Sequence, residues 1–287
     1  MHLRRIGLLA ASAAWSASVA TSATAHTAPP ARCLTDCTPR IGIVSAFGAE
    51  TDLLVAQTRS RRLYTINGKR FTTGVLRGNR VVIVLSGVSM INSTLVTQQM
   101  LDHFRVERLV MSGIAGGVDP ANHVGDVTVP DRWAMPMEVF WNADSTLPSP
   151  CGKPNDVSCL GLQLATGADG QPLPPFDEKL GLKQQPRLLV GGRGVSATVF
   201  MANAQYRRYL FDVLQAQTFE METAALAHVA HANGVPYIAF RSLSDLAGAE
   251  GFDADVGALF ASGLAEANEA LVTLAFLDAW AARSKRR

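Results

Sequence analysis

The sequence predicts an α/β protein built as a single large domain. Three observations carry that expectation. The chain has 287 residues, a length suited to one α/β domain rather than two. Short apolar runs that read as buried strands alternate with amphipathic runs at helical spacing. The stretch from Thr218 to Gly248 holds a complete β-α-β order. There an apolar approach ends at Glu220-Met221-Glu222, an Ala-rich helical run covers Thr223 to Ala232, and Asn233-Gly234 supplies a left-handed stop. Val235-Pro236 then feeds the apolar run Tyr237 to Phe240, which ends in Arg241-Ser242-Leu243-Ser244-Asp245. Charged groups thus stand at the carboxyl ends of both strands, the edge where open α/β sheets bind ligands. Glu222 and Asp245 are therefore expected on one crevice.

From the beginning of the chain, residues 1–25 read as a secretory signal peptide. His2, Arg4 and Arg5 form a basic start, Ile6 to Ala20 is apolar and small, and Ala23-Thr24-Ala25 is an A-x-A cleavage signal. The apolar run is shorter than the roughly 18 residues a spanning helix needs, so an exported, periplasmic or secreted protein with no membrane association after cleavage is expected. Removing residues 1–25 removes two arginines and no acids, so the formal charge falls from +2 to zero and no nucleic-acid partner is indicated. Residues 26–40 form a Pro/Thr-rich leader. The four cysteines, Cys33, Cys37, Cys151 and Cys159, lie in polar, Pro/Gly-rich surroundings. After export they predict two disulfides, Cys33–Cys37 and Cys151–Cys159, with the other pairings open.

The domain is expected over 41–282. Ile41 to Ala46 reads as a buried strand, and Phe47-Gly48-Ala49-Glu50 ends it and opens a helix, Thr51 to Thr58. An acid there, Glu50, complements a helix amino terminus. Leu63 to Ile66, Lys69 to Leu76 and Arg80 to Ser86 read as strands joined by the hairpin turns Asn67-Gly68 and Gly78-Asn79. Asn92 to Phe104 is an amphipathic helix; Asn92-Ser93-Thr94 matches a glycosylation acceptor, but its position predicts a helix cap. Leu109 to Met111 is a buried strand running into Ser112-Gly113-Ile114-Ala115-Gly116-Gly117, whose glycines let backbone N–H groups approach a ligand. The spacing is that of neither a dinucleotide loop nor a P-loop.

Val124 to Pro130 reads as a strand. The segment 142–185 breaks the pattern, with many prolines and glycines and two of the cysteines, and is expected as a disulfide-pinned loop insert. Arg187 to Val190 resumes the strand pattern, Gly191 to Phe200 follows, and Asn203 is expected to cap a helix to about Leu214. A final helix, Asp255 to Ala282, ends in the basic tail 283–287. His228 and His231 lie three apart on one helix, but no third ligand accompanies them, so no metal centre is expected.

Glu220-Met221-Glu222 before a helix, with Arg241-x-x-Ser244-Asp245 after the next strand, resembles the nucleoside phosphorylase and nucleosidase superfamily. Within it the pattern is closest to the 5′-methylthioadenosine/S-adenosylhomocysteine nucleosidases. The wording at Gly113-Ile114-Ala115-Gly116, Val124-Gly125-Asp126-Val127 and Arg193-Gly194-Val195-Ser196-Ala197 is similar to the secreted branch that includes plant bark and vegetative storage proteins. The resemblance covers roughly Ile41 to Leu277, apart from the loop-rich insert. It implies a three-layer α/β/α domain with a central mixed, partly barrel-like sheet, a homo-oligomer of two or more subunits, and no metal or organic cofactor.

The resemblance also implies roles. Asp245 would protonate the leaving base, and Glu50, with Arg241 nearby, would orient the attacking water. Glu222 would hold the ribose hydroxyls and Met221 would pack against the sugar. Ala115 and Gly116 would lie under ribose and base, Phe200 would stack on the purine, the Met201 backbone would bond to it, and Ser244 would orient Asp245. The implied reaction is hydrolysis of the N-glycosidic bond of a purine nucleoside. A phosphate-dependent phosphorylase and a non-catalytic nucleoside-binding or storage protein are the alternatives. The Gly/Arg phosphate turn of the phosphorylases has no counterpart here, and Ile114 stands where many nucleosidases carry Ser.

Overall fold

The computed structural model describes residues 33–137, 164–165, 186–248 and 263–284. The signal segment 1–25, the insert 142–185 apart from two residues, the pair Cys151 and Cys159, and the tail 285–287 lie outside the described residues.

The chain opens with β1 (Asp36–Ser45), α1 (Gly48–Gln57), and the antiparallel ladder β2 (Arg59–Ile66), β3 (Lys69–Leu76) and β4 (Asn79–Leu85). Then come α2 (Met90–His103), β5 (Phe104–Gly117), β6 (Val127–Val129), β7 (Arg132–Ala134) and β8 (Leu164–Ala165). After the insert follow β9 (Leu188–Val190), β10 (Arg193–Ser196), α3 (Ala204–Leu214), β11 (Ala216–Glu220), α4 (Thr223–Ala232), β12 (Tyr237–Asp245) and α5 (Leu264–Ser284). No described helix is long and apolar enough to cross a membrane.

One mixed sheet contains all the described strands. Its centre is β5, which pairs in parallel with β1 on one side and β12 on the other. At its far end, Gly116 and Gly117 turn to pair antiparallel with β11. The sheet therefore forks at β5, one branch running through β11, β10 and β7 and the other through β12, β6 and β9. Strand periodicity sorts the core into two layers. Val44, Met111 and Ala239 face α2 and α4, where Val96, Met100, Leu226 and Ala227 cover them. Their neighbours Ile43, Val110 and Ile238 face α1 and α5, against Leu54, Phe276 and Leu277. A strand buried on both faces reads as a continuous apolar run, which is why these strands were visible in sequence.

Several elements differ from expectation for local reasons. The leader's last residues, Asp36 to Arg40, already belong to β1. Cys33 and Cys37 are disulfide-bonded, and Leu34 and Thr35 donate backbone bonds to Asp102 and His103 at the end of α2. Ser89, not Asn92, caps α2: the Ser89 hydroxyl accepts from the Ile91 N–H, while Asn92 lies inside the helix and donates to the Val88 carbonyl. The strand expected over Val124 to Pro130 shrinks to β6 because His123 to Asp126 forms a turn, closed by the Asp126 side chain accepting from the His123 N–H, with Gly125 at φ +87°. β12 continues past Phe240 through Arg241 to Asp245, polar side chains included. β11 and β12 are not parallel neighbours: β11 runs antiparallel to β5 and β12 parallel to it.

α5 brings an unexpected acid into the core. Glu269 is fully buried. It accepts a short hydrogen bond from the Ser112 hydroxyl, which lies 2.7 Å from the Thr273 hydroxyl, and its Oε1 has no partner among the described residues. Burial, helped by the charge of Glu50, pushes its pKa well above the ordinary value of 4.5, against the Ser112 bond and Arg241. The folded chain thus holds a proton that the unfolded chain releases above the usual carboxylate range. Stability from this group falls as pH rises through that window. Glu269→Gln keeps the shape and abolishes the titration. Its melting temperature should exceed the parent's at about pH 8, by about 2–4 °C for each kcal/mol relieved, and the gap should close near pH 4. Equal or lower melting at the higher pH would mean that Glu269 is ionised in the fold.

Candidate active site

The site forms where the carboxyl ends of β1, β5, β11 and β12 meet. At the first of these, Phe47 caps α1, and Glu50 in its first turn reaches back to the helix entry. One carboxylate oxygen accepts the Ala46 and Phe47 N–H groups at 2.6 and 3.1 Å, and the other accepts the Ile114 N–H at 3.0 Å. Burial raises the Glu50 pKa and outweighs those bonds and the Arg241 charge, all of which lower it.

At the end of β11, Glu220 is buried and serves α4. It accepts the backbone N–H groups of Glu222 and Thr223, the Thr223 hydroxyl at 2.8 Å, and a short bond from the Ser196 hydroxyl. Glu222 caps the same helix. One of its oxygens accepts the Ser89 N–H at 2.9 Å, so the start of α2 points at this carboxylate. Burial first, then the charge of Glu220, pushes its pKa up to about 7, against Arg241 and the Ser89 bond.

Arg241 ties these acids together from beneath. It is fully buried. It forms a short ion pair with Glu220, lies 3.3 Å from Glu222 and 3.9 Å from Glu50, and donates to the Ile114 carbonyl and the Thr223 hydroxyl. The acids hold its pKa above the ordinary value even though burial alone would lower it. Gly113 permits this packing: a Cβ there would sit 2.3 Å from the Arg241 guanidinium and 2.5 Å from Glu50.

At the end of β12, Asp245 accepts the Ala247 N–H at 2.7 Å and lies 2.8 Å from the Ser244 hydroxyl. That hydroxyl also lies 3.3 Å from the Ala115 carbonyl. Its single hydrogen is shared between these two acceptors, the Asp245 carboxylate being the nearer. Burial raises the Asp245 pKa, against the Ala247 and Ser244 bonds and the Arg207 charge. A Cβ at Gly116 would meet Asp245 at 2.8 Å, so only glycine fits there.

Glu50, Glu220, Glu222 and Asp245 line one pocket of about 270 Å³. Of the residues expected from sequence, Glu50, Ala115, Gly116, Phe200, Met201, Met221, Glu222, Ser244 and Asp245 all line it. Arg241 does not: full burial keeps it behind the acids, so it is a positioning residue rather than one that meets a ligand. The Cys33–Cys37 bridge lies outside the pocket lining. Sequence reading gave no role to Glu220 or to the apolar wall of Phe47, Val88, Val199 and Phe219. Glu220 had a signal, the first acid of Glu-Met-Glu; the wall residues had none, because the contacts that bring them together are long-range. Among the described residues no Lys or Arg lines the pocket.

Fold and pocket together define an α/β protein whose sheet edge gathers buried acids in an apolar cleft. The chain belongs to the phosphorylase superfamily, whose family model matches residues 40–277. It is 30% identical over 218 residues to the 5′-methylthioadenosine/S-adenosylhomocysteine nucleosidase of Tolumonas auensis, covering 74% of this chain and 88% of that one. The nucleosidase of the same name from Halalkalibacterium halodurans is 27% identical over 221 residues, covering 74% and 87%. In fold, the chain is similar to the crystal structure of the Neisseria meningitidis 5′-methylthioadenosine/S-adenosylhomocysteine nucleosidase in complex with methylthio-immucillin-A. That match has a TM-score of 0.66 at 20% identity and covers 85% of this chain and 99% of that one.

Proposed function

We propose that this protein hydrolyses the N-glycosidic bond of a purine nucleoside of the 5′-methylthioadenosine/S-adenosylhomocysteine type. The observation that carries the reading is the convergence of Glu50, Glu222 and Asp245 on one largely apolar pocket. Asp245, its pKa raised by burial, gives its proton to the purine as the C1′–N9 bond breaks. The departing base leaves neutral, and the sugar develops oxocarbenium character. Glu50 aligns a water on C1′ and takes its proton as the C–O bond forms. Glu222 accepts hydrogen bonds from the ribose hydroxyls and stabilises positive charge on the ring. Arg241 holds Glu222 and Glu50 from behind. Phe200, 55% exposed at the rim, offers its ring to the purine, and Met201 offers its backbone.

Water rather than phosphate as nucleophile is supported by Glu50 at the end of β1 and by the lack of a cation on the described pocket wall. The test is the sugar product formed in excess phosphate: free pentose is expected, and a sugar 1-phosphate seen by NMR would move the protein to phosphorolysis. One observation favours a second reading, a nucleoside-binding protein without turnover of the storage-protein kind. Ile114 lines the pocket with a side chain that cannot hydrogen-bond. A panel of purine nucleosides that bind but release no base would establish it.

The same proposal includes an exported protein, supported by the segment 1–25 and by a Cys33–Cys37 disulfide, a bond that persists in oxidising compartments. It includes a homo-oligomer too. Val88, Ile91 and Leu95, at 46%, 67% and 63% exposure, form an apolar face at the start of α2 beside the pocket, suited to burial against a second copy.

A further inference from the structure

A second cavity, of about 580 Å³, lies between α1 and the β2–β4 ladder, outside the site described above. Arg61, Arg62, Lys69 and Arg70 line it, and among the described residues Asp52 on α1 is the single acid on its wall. The surrounding sequence has one sign. From Leu53 to Leu101 there is no Asp or Glu, while Arg59, Arg61, Arg62, Lys69, Arg70, Arg77 and Arg80 supply seven cations. The whole chain carries +2, so the rest of it sums to 2 − 7 = −5. Of those seven cations, only Arg77 has an ion pair among the described residues, with Asp278 at 3.6 Å.

Charge on an edge strand commonly blocks sheet-to-sheet association, and β2 is an edge. That duty is met by either sign and by β2 alone. Here the cations continue onto β3 and β4 and are all positive, an arrangement that repels itself. The cavity floor is apolar: Leu63 pairs across to Thr72, and Thr72 to Ile83, with Leu85 one step along the same face. Leu63 and Leu85 remain 61% and 37% exposed. Guanidinium forks match phosphate oxygens two at a time, and the floor suits the uncharged part of the same molecule.

We propose that this groove binds a phosphate-bearing ligand with an apolar portion, whether a lipid headgroup or a free organic phosphate. Arg61, Arg62 and Arg70 grip the phosphate, and Leu63, Ile83 and Leu85 receive the remainder. Lys69 is partly committed, since its ammonium donates to the Ser86 carbonyl at 2.7 Å.

The test uses the full chain and two probes. Vesicles of phosphatidylglycerol in phosphatidylcholine represent the headgroup, read by co-sedimentation, and sodium tripolyphosphate represents free phosphate, read by calorimetry. At least one should bind, more weakly as salt rises. Arg61→Gln/Arg62→Gln/Arg70→Gln should weaken that binding by at least about tenfold, with an unchanged melting temperature. The single exposed substitution Arg70→Gln should weaken it several-fold should the triple variant fold poorly. Arg105→Gln, which removes one charge elsewhere, should leave it intact. Whichever probe binds names the source. Binding of neither probe at low salt, or equal binding by parent and Arg variants, overturns the proposal.

Discussion

Asp245→Asn should bind purine nucleosides with nearly parental affinity and turn them over roughly 10²–10⁴-fold more slowly, the usual worth of general acid catalysis. Asparagine keeps the size and the contacts to Ala247 and Ser244, but it has no carboxylic proton to give. The diagnostic is the leaving group. A substrate whose base departs readily needs less protonation, so Asp245→Asn should lose much less rate on it. Glu50→Gln should lose similar rate on both substrates, because the water needs orientation whatever leaves. Equal loss for Asp245→Asn on both substrates would make Asp245 a structural residue and sink the mechanism.

Arg241→Met should destabilise the fold by about 3–5 kcal/mol, the usual cost of stranding buried charges. Thermal melting should fall on the order of 10 °C. Methionine fills much of the space, so the loss reflects Glu220 and Glu222 left without a cation, and Glu50 at 3.9 Å is affected as well. Glu220→Gln placed on top should recover part of the loss, since the two residues share one interaction. Arg241→Lys should fall between, because a single ammonium cannot serve Glu220, Glu222 and the Ile114 carbonyl together. Parental melting of Arg241→Met would mean that the acids carry protons enough to need no counterion.

Local chemistry was readable where it acts over a few residues. α4 runs over the Thr223 to Ala232 expected from its alanines and its Asn233-Gly234 stop, and Asn203 caps α3 by accepting the Tyr206 N–H. The crevice shared by Glu222 and Asp245 was also readable, since both follow strand ends. Three things were not. The antiparallel docking of β11 on Gly116 and Gly117 depends on partners about a hundred residues away. The reach of β12 to Asp245 overrides a polar sequence because neighbouring strands supply its backbone partners and Arg241 finds acids to meet. Glu269 lies in a helix whose apolar pattern concealed two buried acids, Glu266 and Glu269. In each case the deciding contact joins segments far apart in the chain.

The ratio of one guanidinium to three carboxylates has a consequence for which nucleophile can enter. While Glu50 and Glu222 are ionised, the centre is anionic, because Arg241 supplies one positive charge to them. A sugar gaining positive charge is drawn toward such a centre. A phosphate dianion is driven from it: each unit-charge pair about 5 Å apart repels by about 3 kcal/mol at an effective dielectric of about 20. Water carries no net charge and avoids that barrier. Phosphate would have to bring protons with it, so any phosphorolysis in this pocket should be confined to acid solution, where the carboxylates are already neutral.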